Sequence, residues 1–412
     1  MSNSAINTQL KNRLKLIQST RQKKETKRSQ NESSINPDQW PLWEEIAHKT
    51  LRRDIYQEIT YTGFLTDSVK GVKNKPERFP ESLAIIIPDF LRTFTIKNEQ
   101  LPKLEELLFF DLETTGLSGG AGTIAFLAAF GRFMEADTPA GKADANNNGG
   151  NYCLKITQYL LLDYPGECDF VEKVLEEFYA QKDLPVLVTY NGKSFDTQIL
   201  YNRCLMNRLK IPEFHHADLL HPARRLWKNI LPNCSQATIE EAVLGLDRTG
   251  DMPGSLAPEI WFSFLRNGEN RDLLAISEHN EKDIYGLAKL FLAMCEIAAD
   301  PVRAIDGIKY DEGDLAVYWD KTVRKYPFLF DKNTADMASS LLLRAAERGN
   351  IKALVNLAID AEWRKRDFEL ALKLTITAIK LLNINNSTDE YMLNSLENRK
   401  ERLEKKQGKM QG

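Results

Sequence analysis

Asp111 and Glu113 stand two residues apart where the apolar run of "LLFFDLETTGLSGG" (residues 107–120) gives way to small residues. Alternate side chains of an extended chain share a face, so both carboxylates converge on one spot. Two anions held side by side repel unless a cation sits between them. Two other stretches offer acids beside apolar elements, Asp196 in "YNGKSFDTQIL" and Asp283 in "HNEKDIYGL". A divalent ion completes such a set, because Mg²⁺ or Mn²⁺ prefers oxygen ligands and keeps several waters. Two ions about 4 Å apart hold the attacking water and the leaving oxygen of an in-line displacement at phosphorus. His279 precedes Asp283 by four residues, so on a helix both point the same way, and an imidazole that titrates near working pH suits a general base.

These residues need elements to carry them. "LEELLFFDLE", "GTIAFLAAFGRF" and "YCLKITQYLLL" read as three consecutive strands of an antiparallel meander. The Asn, Gly, Ala and Asp content of residues 135–150 marks an exposed hairpin excursion. A helix at 168–181, a strand in "LPVLVTYNG", a helix from Ser194 to Leu209 and a short strand around "HHADLL" follow, and residues 234–296 are helical throughout. Strands that give way to alternating helix and strand indicate an α/β fold, a mixed sheet with flanking helices. The expected organisation is a disordered basic arm over 1–39, a lead-in over 40–103 that packs on the core, the core itself over 104–298, a charged and Pro-rich linker over 299–334, and an all-α helical-repeat-like module over 335–405. Within the lead-in, "WPLWEEIAHKTLRRDIYQEITYTGF" has helical spacing in its first half.

Taken together, "FDLETTGLSGGAG", "TYNGKSFDTQIL", "HADLLHPARRLW", "EEAVLGLDRTGDMPG" and "HNEKDIYGL" resemble in order and spacing the DEDD exonucleases of the ribonuclease H-like superfamily, closest to its bacterial YprB-type group, over residues 104–297. The resemblance implies a ribonuclease H-like mixed sheet, with Asp111, Glu113, Asp196 and Asp283 as ligands of two Mg²⁺ or Mn²⁺ ions. It implies hydrolysis of single-stranded DNA or RNA from an end, with 3′ to 5′ polarity. Backbone around Thr114, Thr115 and Gly116 would approach the terminal nucleotide, Leu117 would wedge beside its base, and Asn191 and Phe195 of the second motif would also face nucleic acid. Common branches carry a Tyr four residues before the final Asp or a His five before it. Here His279 occupies the tyrosine position and Glu278 the other.

Plainer readings stand beside these. Singly, an acid pair after a strand is an ordinary solvated loop, Asp196 favours a helix N-terminus, and Asp283 is a surface acid. "LSGGAG" lacks the spacing of a nucleotide-binding loop. His215, His216 and His221 lack the partners of a transition-metal site. Arg224, Arg225, Trp227 and Lys228 either meet phosphates and stack a base or serve as core and solvated surface. "LVNLAIDAEWRKRDFELALKLTITAIKLL" looks like one tetratricopeptide unit, with Leu357, Phe368, Ala371 and Ala378 in its small and apolar positions. A lone unit cannot bury its own faces, so it is either a partner-binding surface for another protein or a helical appendage.

An apolar content of 42% is that of a folded globular chain, and the net charge of −3 excludes a uniformly basic coat for nucleic acid. The basic excess sits at the ends: eight Lys and Arg over residues 1–30 face the single acid Glu25, as either a phosphate-seeking tether or a solvated terminus. Five widely spaced cysteines suggest neither a disulfide framework nor zinc, and no apolar run spans a bilayer, so a soluble cytoplasmic protein is expected. The rival to the nuclease is an adaptor that kept the fold, binds nucleic acid and recruits partners through its helices without catalysis.

Overall fold

The computed structural model describes residues 39–60, 79, 82–91, 102, 104–116, 122–134, 151–180, 184–304, 308–384 and 390–408. The basic arm up to residue 38, the 135–150 excursion and Leu117 lie outside the described residues. Seven strands form one sheet: β1 (Glu44–Ala47), β2 (Thr50–Thr60), β3 (Leu107–Thr114), β4 (Ala125–Met134), β5 (Asn151–Leu161), β6 (Val186–Thr189) and β7 (His215–Asp218). Their spatial order is β1-β2-β5-β4-β3-β6-β7, antiparallel from β1 through β3 and parallel from β3 through β7. The expected meander is therefore β3-β4-β5. β3 reads as an almost unbroken apolar run because it is central and covered on both faces. Phe109 joins one apolar cluster with Ile284 and Phe291, while Phe110 joins a second with Phe130, Phe178 and Trp261.

The helical spacing in the first half of residues 40–64 gives strands instead, β1 and the start of β2. The period that wins is two. From Asp54 to Ile59, exposed side chains alternate with half-buried or buried ones, and β2 pairs with β5 from Thr50↔Leu161 to Thr60↔Asn151. Lys49, at φ 55° in the two-residue connection, supplies the left-handed turn that joins β1 to β2.

Helices α1 (Leu83–Ile86), α2 (Glu167–Tyr179), α3 (Asp196–Met206), α4 (Leu220–Trp227), α5 (Gln236–Ala242) and α6 (Ala257–Asn267) surround the sheet. The long α7 (Arg271–Ala299) crosses it. Its first turns, through Leu273 and Ile276, pack in the cluster of Trp261, and its later turns, through Ile284, Leu287 and Phe291, pack in the cluster of Phe109. Residues 279–283 lie at the seam between the two clusters.

Residues 299–334, expected as a linker, instead hold α8 (Pro301–Ala304) and α9 (Glu312–Lys325). The residues that suggested a linker are helix-start residues: Pro301 opens α8, and the Asp311 side chain caps α9 by accepting from the Asp314 N–H at 3.0 Å. Leu315, Ala316 and Trp319 of α9 join the same apolar cluster as Trp227. Then α10 (Lys332–Glu347), α11 (Ile351–Asp360), a π-helical turn at Ala361–Lys365, α12 (Phe368–Ile384) and α13 (Glu390–Gly408) stack in chain order. Glu362 in that turn is buried and accepts hydrogen bonds from Arg399, Arg402 and Lys406, so the turn is tied to α13. Among the described residues no helix is long and apolar enough to cross a membrane.

Close contact between α7 and the sheet depends on Gly131 of β4, where a Cβ would lie 2.7 Å from Ile284 Cγ2 and 3.2 Å from Phe109 Cβ. Gly131→Val overpacks this contact and should cost about 1–3 kcal/mol in urea unfolding. An unchanged midpoint would mean that α7 does not press on β4 as described.

Candidate metal centre

β3 delivers Asp111 and Glu113, opposite Ala129 and Leu127 of β4, on the face shared with Phe109. α7 brings His279 and Asp283 to the same place: a ring nitrogen of His279 and a carboxylate oxygen from each of Glu113 and Asp283 all lie within 4.8 Å of one another. Asp196 arrives by a different route. It opens α3, where a carboxylate suits the positive end of the helix dipole. The loop before it is shaped by Asp218 at the end of β7, whose carboxylate accepts the N–H groups of Asn191 at 2.8 Å, Lys193 at 3.0 Å and Leu220 at 3.0 Å. Asn191 takes a left-handed φ of 66°, a conformation that Asn tolerates better than most residues.

The acids share one field. Burial pushes the Asp111 carboxyl well above the usual carboxylate range, and the charges of Asp196, Asp283 and Glu113 push it further, against one hydrogen bond from Asn280. Glu113 is raised by burial first and then by Asp283 and Asp196. Burial raises Asp196 to about 7, with Asp218 adding to the effect and backbone N–H donors opposing it. The carboxylates converge from separate elements, and Glu113, Asp283 and a ring nitrogen of His279 are close enough to share one ion, a donor set that suits a divalent cation.

On the α7 side the charges are organised by a loop after α5. The Arg248 guanidinium lies 2.6 Å from Asp283 Oδ1 and 2.8 Å from Asp251 Oδ2, and its Nε donates to the buried Glu240 at 2.7 Å. Glu240 fits in a notch at Gly286 of α7, where any Cβ would collide with its carboxyl group. Asp251 also faces His279 Nδ1 at 2.8 Å and Lys282 Nζ at 3.1 Å. Burial raises the Asp251 carboxyl, but these donors outweigh it and hold it at about 2. His279 Nε2, on the other side of the ring, lies 3.4 Å from Asp283 Oδ2. The backbone of Gly254 closes over this imidazole, since a Cβ there would lie 2.9 Å from Nε2.

The residues expected at nucleic acid divide into two groups. Asn191 and Arg224 are exposed. Thr114 donates to the Gly116 carbonyl at 2.9 Å, and Thr115 accepts the Ile124 N–H at 2.9 Å, so both hydroxyls shape the turn after β3. Phe195 packs against the second cluster. Trp227 has no exposed surface and donates its indole N–H to the Lys309 carbonyl at 2.7 Å. Arg225 stacks over Tyr318 with 3.7 Å between guanidinium carbon and ring centre. Stacking of a base on Trp227 is thereby corrected, because that side chain is fully buried, while Arg225 is half-buried and rests on Tyr318 of α9. His216 is bonded to Thr189 Oγ1 at 2.9 Å, and burial, with Lys193 nearby, lowers it to about 4.

The sequence reading missed Arg248, Asp251, Glu240 and Asn280. Arg248 and Asp251 occur in the quoted "EEAVLGLDRTGDMPG", and a basic residue flanked by acids in an otherwise turn-like stretch was the available signal.

In chelator, a carboxyl raised to about 7 in the folded chain and near 3.9 unfolded contributes stability that is full below about pH 4 and is lost as pH rises through 7. Asp196→Asn removes this loss, while His216, whose lowered pKa acts in the opposite direction, is common to both proteins and cancels. The metal-free variant should therefore gain on the wild type in thermal melts between pH 5 and pH 8. A gap that stays constant or narrows over that range contradicts the assigned electrostatics.

Residues 108–295 match the profile of the RNase_H superfamily. The chain is also similar to the uncharacterized protein YprB of Bacillus subtilis (strain 168), at 33% identity over 246 residues, which cover 57% of this chain and 54% of that protein. It thus spans about half the length of that relative. The matched segment contains Asp111, Glu113, Asp196, His279 and Asp283, and excludes β1, β2 and every helix after α7. Residues 108–295 thus have a ribonuclease H-like fold, set within a wider mixed sheet and followed by stacked helices.

Proposed function

We propose that this chain is a metal-dependent nuclease that hydrolyses phosphodiester bonds of single-stranded DNA or RNA, acting as a 3′ to 5′ exonuclease. The observation that carries the reading is the gathering of Glu113, His279 and Asp283 within ligating reach of one ion, in the field of Asp111 and Asp196. These four carboxylates would hold two divalent ions. When bound, Mg²⁺ or Mn²⁺ supplies Lewis-acid polarisation of the phosphate and acidifies water at the site.

The chain's own groups do the rest. His279 Nε2 accepts the proton of the attacking water, and Asp251 at Nδ1 holds the ring in the required tautomer and stabilises the imidazolium that forms. Arg248 holds Asp283 Oδ1, and Oδ2 lies on the side of His279. Backbone at Thr114 to Gly116, whose side chains are small or turned into the turn, lets a nucleotide approach β3. The adaptor reading needs no such cluster, and buried repulsion of this kind would only destabilise a protein that bound nucleic acid without cutting it.

Two experiments follow. Labelled single-stranded DNA and RNA incubated with Mg²⁺, Mn²⁺ or chelator should give metal-dependent laddering, and Asp111→Ala should slow it by at least about a hundredfold, since ligand loss removes several kcal/mol of transition-state stabilisation. Binding without cleavage in every metal would favour the adaptor. Asp251→Asn should lower kcat by about 10- to 100-fold with Mn²⁺ affinity little changed. Full kcat in that variant would remove His279 from the role of base.

A further inference from the structure

Resting on the metal-site reading above, we propose that Arg53, on a strand outside the segment matched by the superfamily profile, is a positioning residue for Asp111 that acts through Gln158 and Asn280. The strand registers place Arg53 opposite Gln158, Gln158 opposite Ala129, and Ala129 opposite Asp111, so these residues form one row across β2, β5, β4 and β3. Within this row Ala129 is too short to bridge its neighbours. Asn280 of α7 comes down over it and joins Gln158 to Asp111.

The direction of every hydrogen bond in this row is fixed. A guanidinium only donates, so Arg53 Nε, 2.6 Å away, must meet the carbonyl oxygen of the Gln158 amide. The amide nitrogen of Gln158 then points the other way, to the Ser277 carbonyl at 2.9 Å and to Asn280 Oδ1 at 2.8 Å. Asn280 is left with its NH₂ toward Asp111 and donates to Oδ2 at 2.7 Å. One oxygen of Asp111 is thereby held, and the other is left for a cation. Gln158 and Asn280 have no exposed surface, so water cannot replace a missing partner, and a wrongly turned amide would set a carbonyl oxygen against a carboxylate.

Arg53 itself is braced from three sides. Its Nη2 donates to Glu281 Oε2 at 3.2 Å, Gln57 of the same strand donates to Glu281 Oε1 at 2.6 Å, and the Trp43 ring lies 4.9 Å from the guanidinium carbon. The β1–β2 hairpin is therefore more than an edge that widens the sheet. It supplies the cation that sets the polarity of the row, and the carboxylate that row ends on is the first of the four acids.

Gln158→Glu separates positioning from packing. The substituted side chain keeps its shape and its contact with Arg53 but can no longer donate to Asn280. A purely structural role predicts wild-type behaviour, whereas the relay predicts a turned Asn280 amide, an Asp111 carboxylate rotated off its 2.7 Å contact in the metal-free crystal structure, and a roughly 10- to 100-fold weaker Mn²⁺ affinity by calorimetry. Arg53→Met should produce the same displacement with a smaller loss, and Arg53→Lys, which still donates, should recover most of it; this pair serves if the Gln158 variant fails to fold. An unmoved Asp111 in these variants overturns the relay whether or not the wild type binds metal. A displaced Asp111 in a protein whose wild type binds no Mn²⁺ supports the relay and overturns the metal reading instead.

Discussion

The structure is organised around a repulsion. Asp111, Glu113 and Asp196 are gathered, with Asp283 beside them, where burial and neighbouring carboxylates oppose the ionisation of the first three, and a fold selected for stability alone would not assemble them. Each is instead held by fixed partners that leave ligating capacity over. Asn280 takes one oxygen of Asp111, Arg248 takes one oxygen of Asp283, and Asp218 shapes the loop that presents Asp196. The cost is met by two apolar clusters on either side of the seam, which keep β3 and α7 from separating under the strain.

Position in the sheet explains which elements could carry the site. β3 is interior, paired antiparallel to β4 on one side and parallel to β6 on the other, and so it is held along both edges. α7 packs closely on the sheet because Gly131 lacks a side chain, and it packs closely on Glu240 of α5 because Gly286 does. Two polar chains then converge from opposite sides, one from Arg53 across the sheet to Asp111 and one from Glu240 through Arg248 to Asp283. Both contain buried groups whose hydrogen bonds have only one workable direction, and that is how side chains can be oriented before any ion arrives.

Much of this was legible in the sequence because the signals were local. The apolar run into Asp111 and Glu113, the acid opening α3 and the His279–Asp283 spacing on α7 are each written within a dozen residues, and the order of the motifs supplied the fold. What was not legible depends on contacts between distant parts of the chain. Residues 40–60 mix aromatics and charges in a way that matches a helix as well as an edge strand, and only pairing with β5 decides between them. Trp227 has the composition of a nucleic-acid surface, yet the chain leading into α9, more than eighty residues further on, takes its indole N–H and the ring is fully buried. Asp251 and Arg248 sit in irregular backbone with no periodicity, so nothing short of the fold shows that they meet α7.

Diffraction shows directly where cations settle on the protein. Crystals soaked in Mn²⁺ and a mononucleotide should show anomalous density bounded by carboxylate oxygens of Asp111, Glu113, Asp196 and Asp283, with His279 Nε2 turned toward it. Well-diffracting crystals with the four carboxylates ordered and no anomalous peak among them would contradict the account.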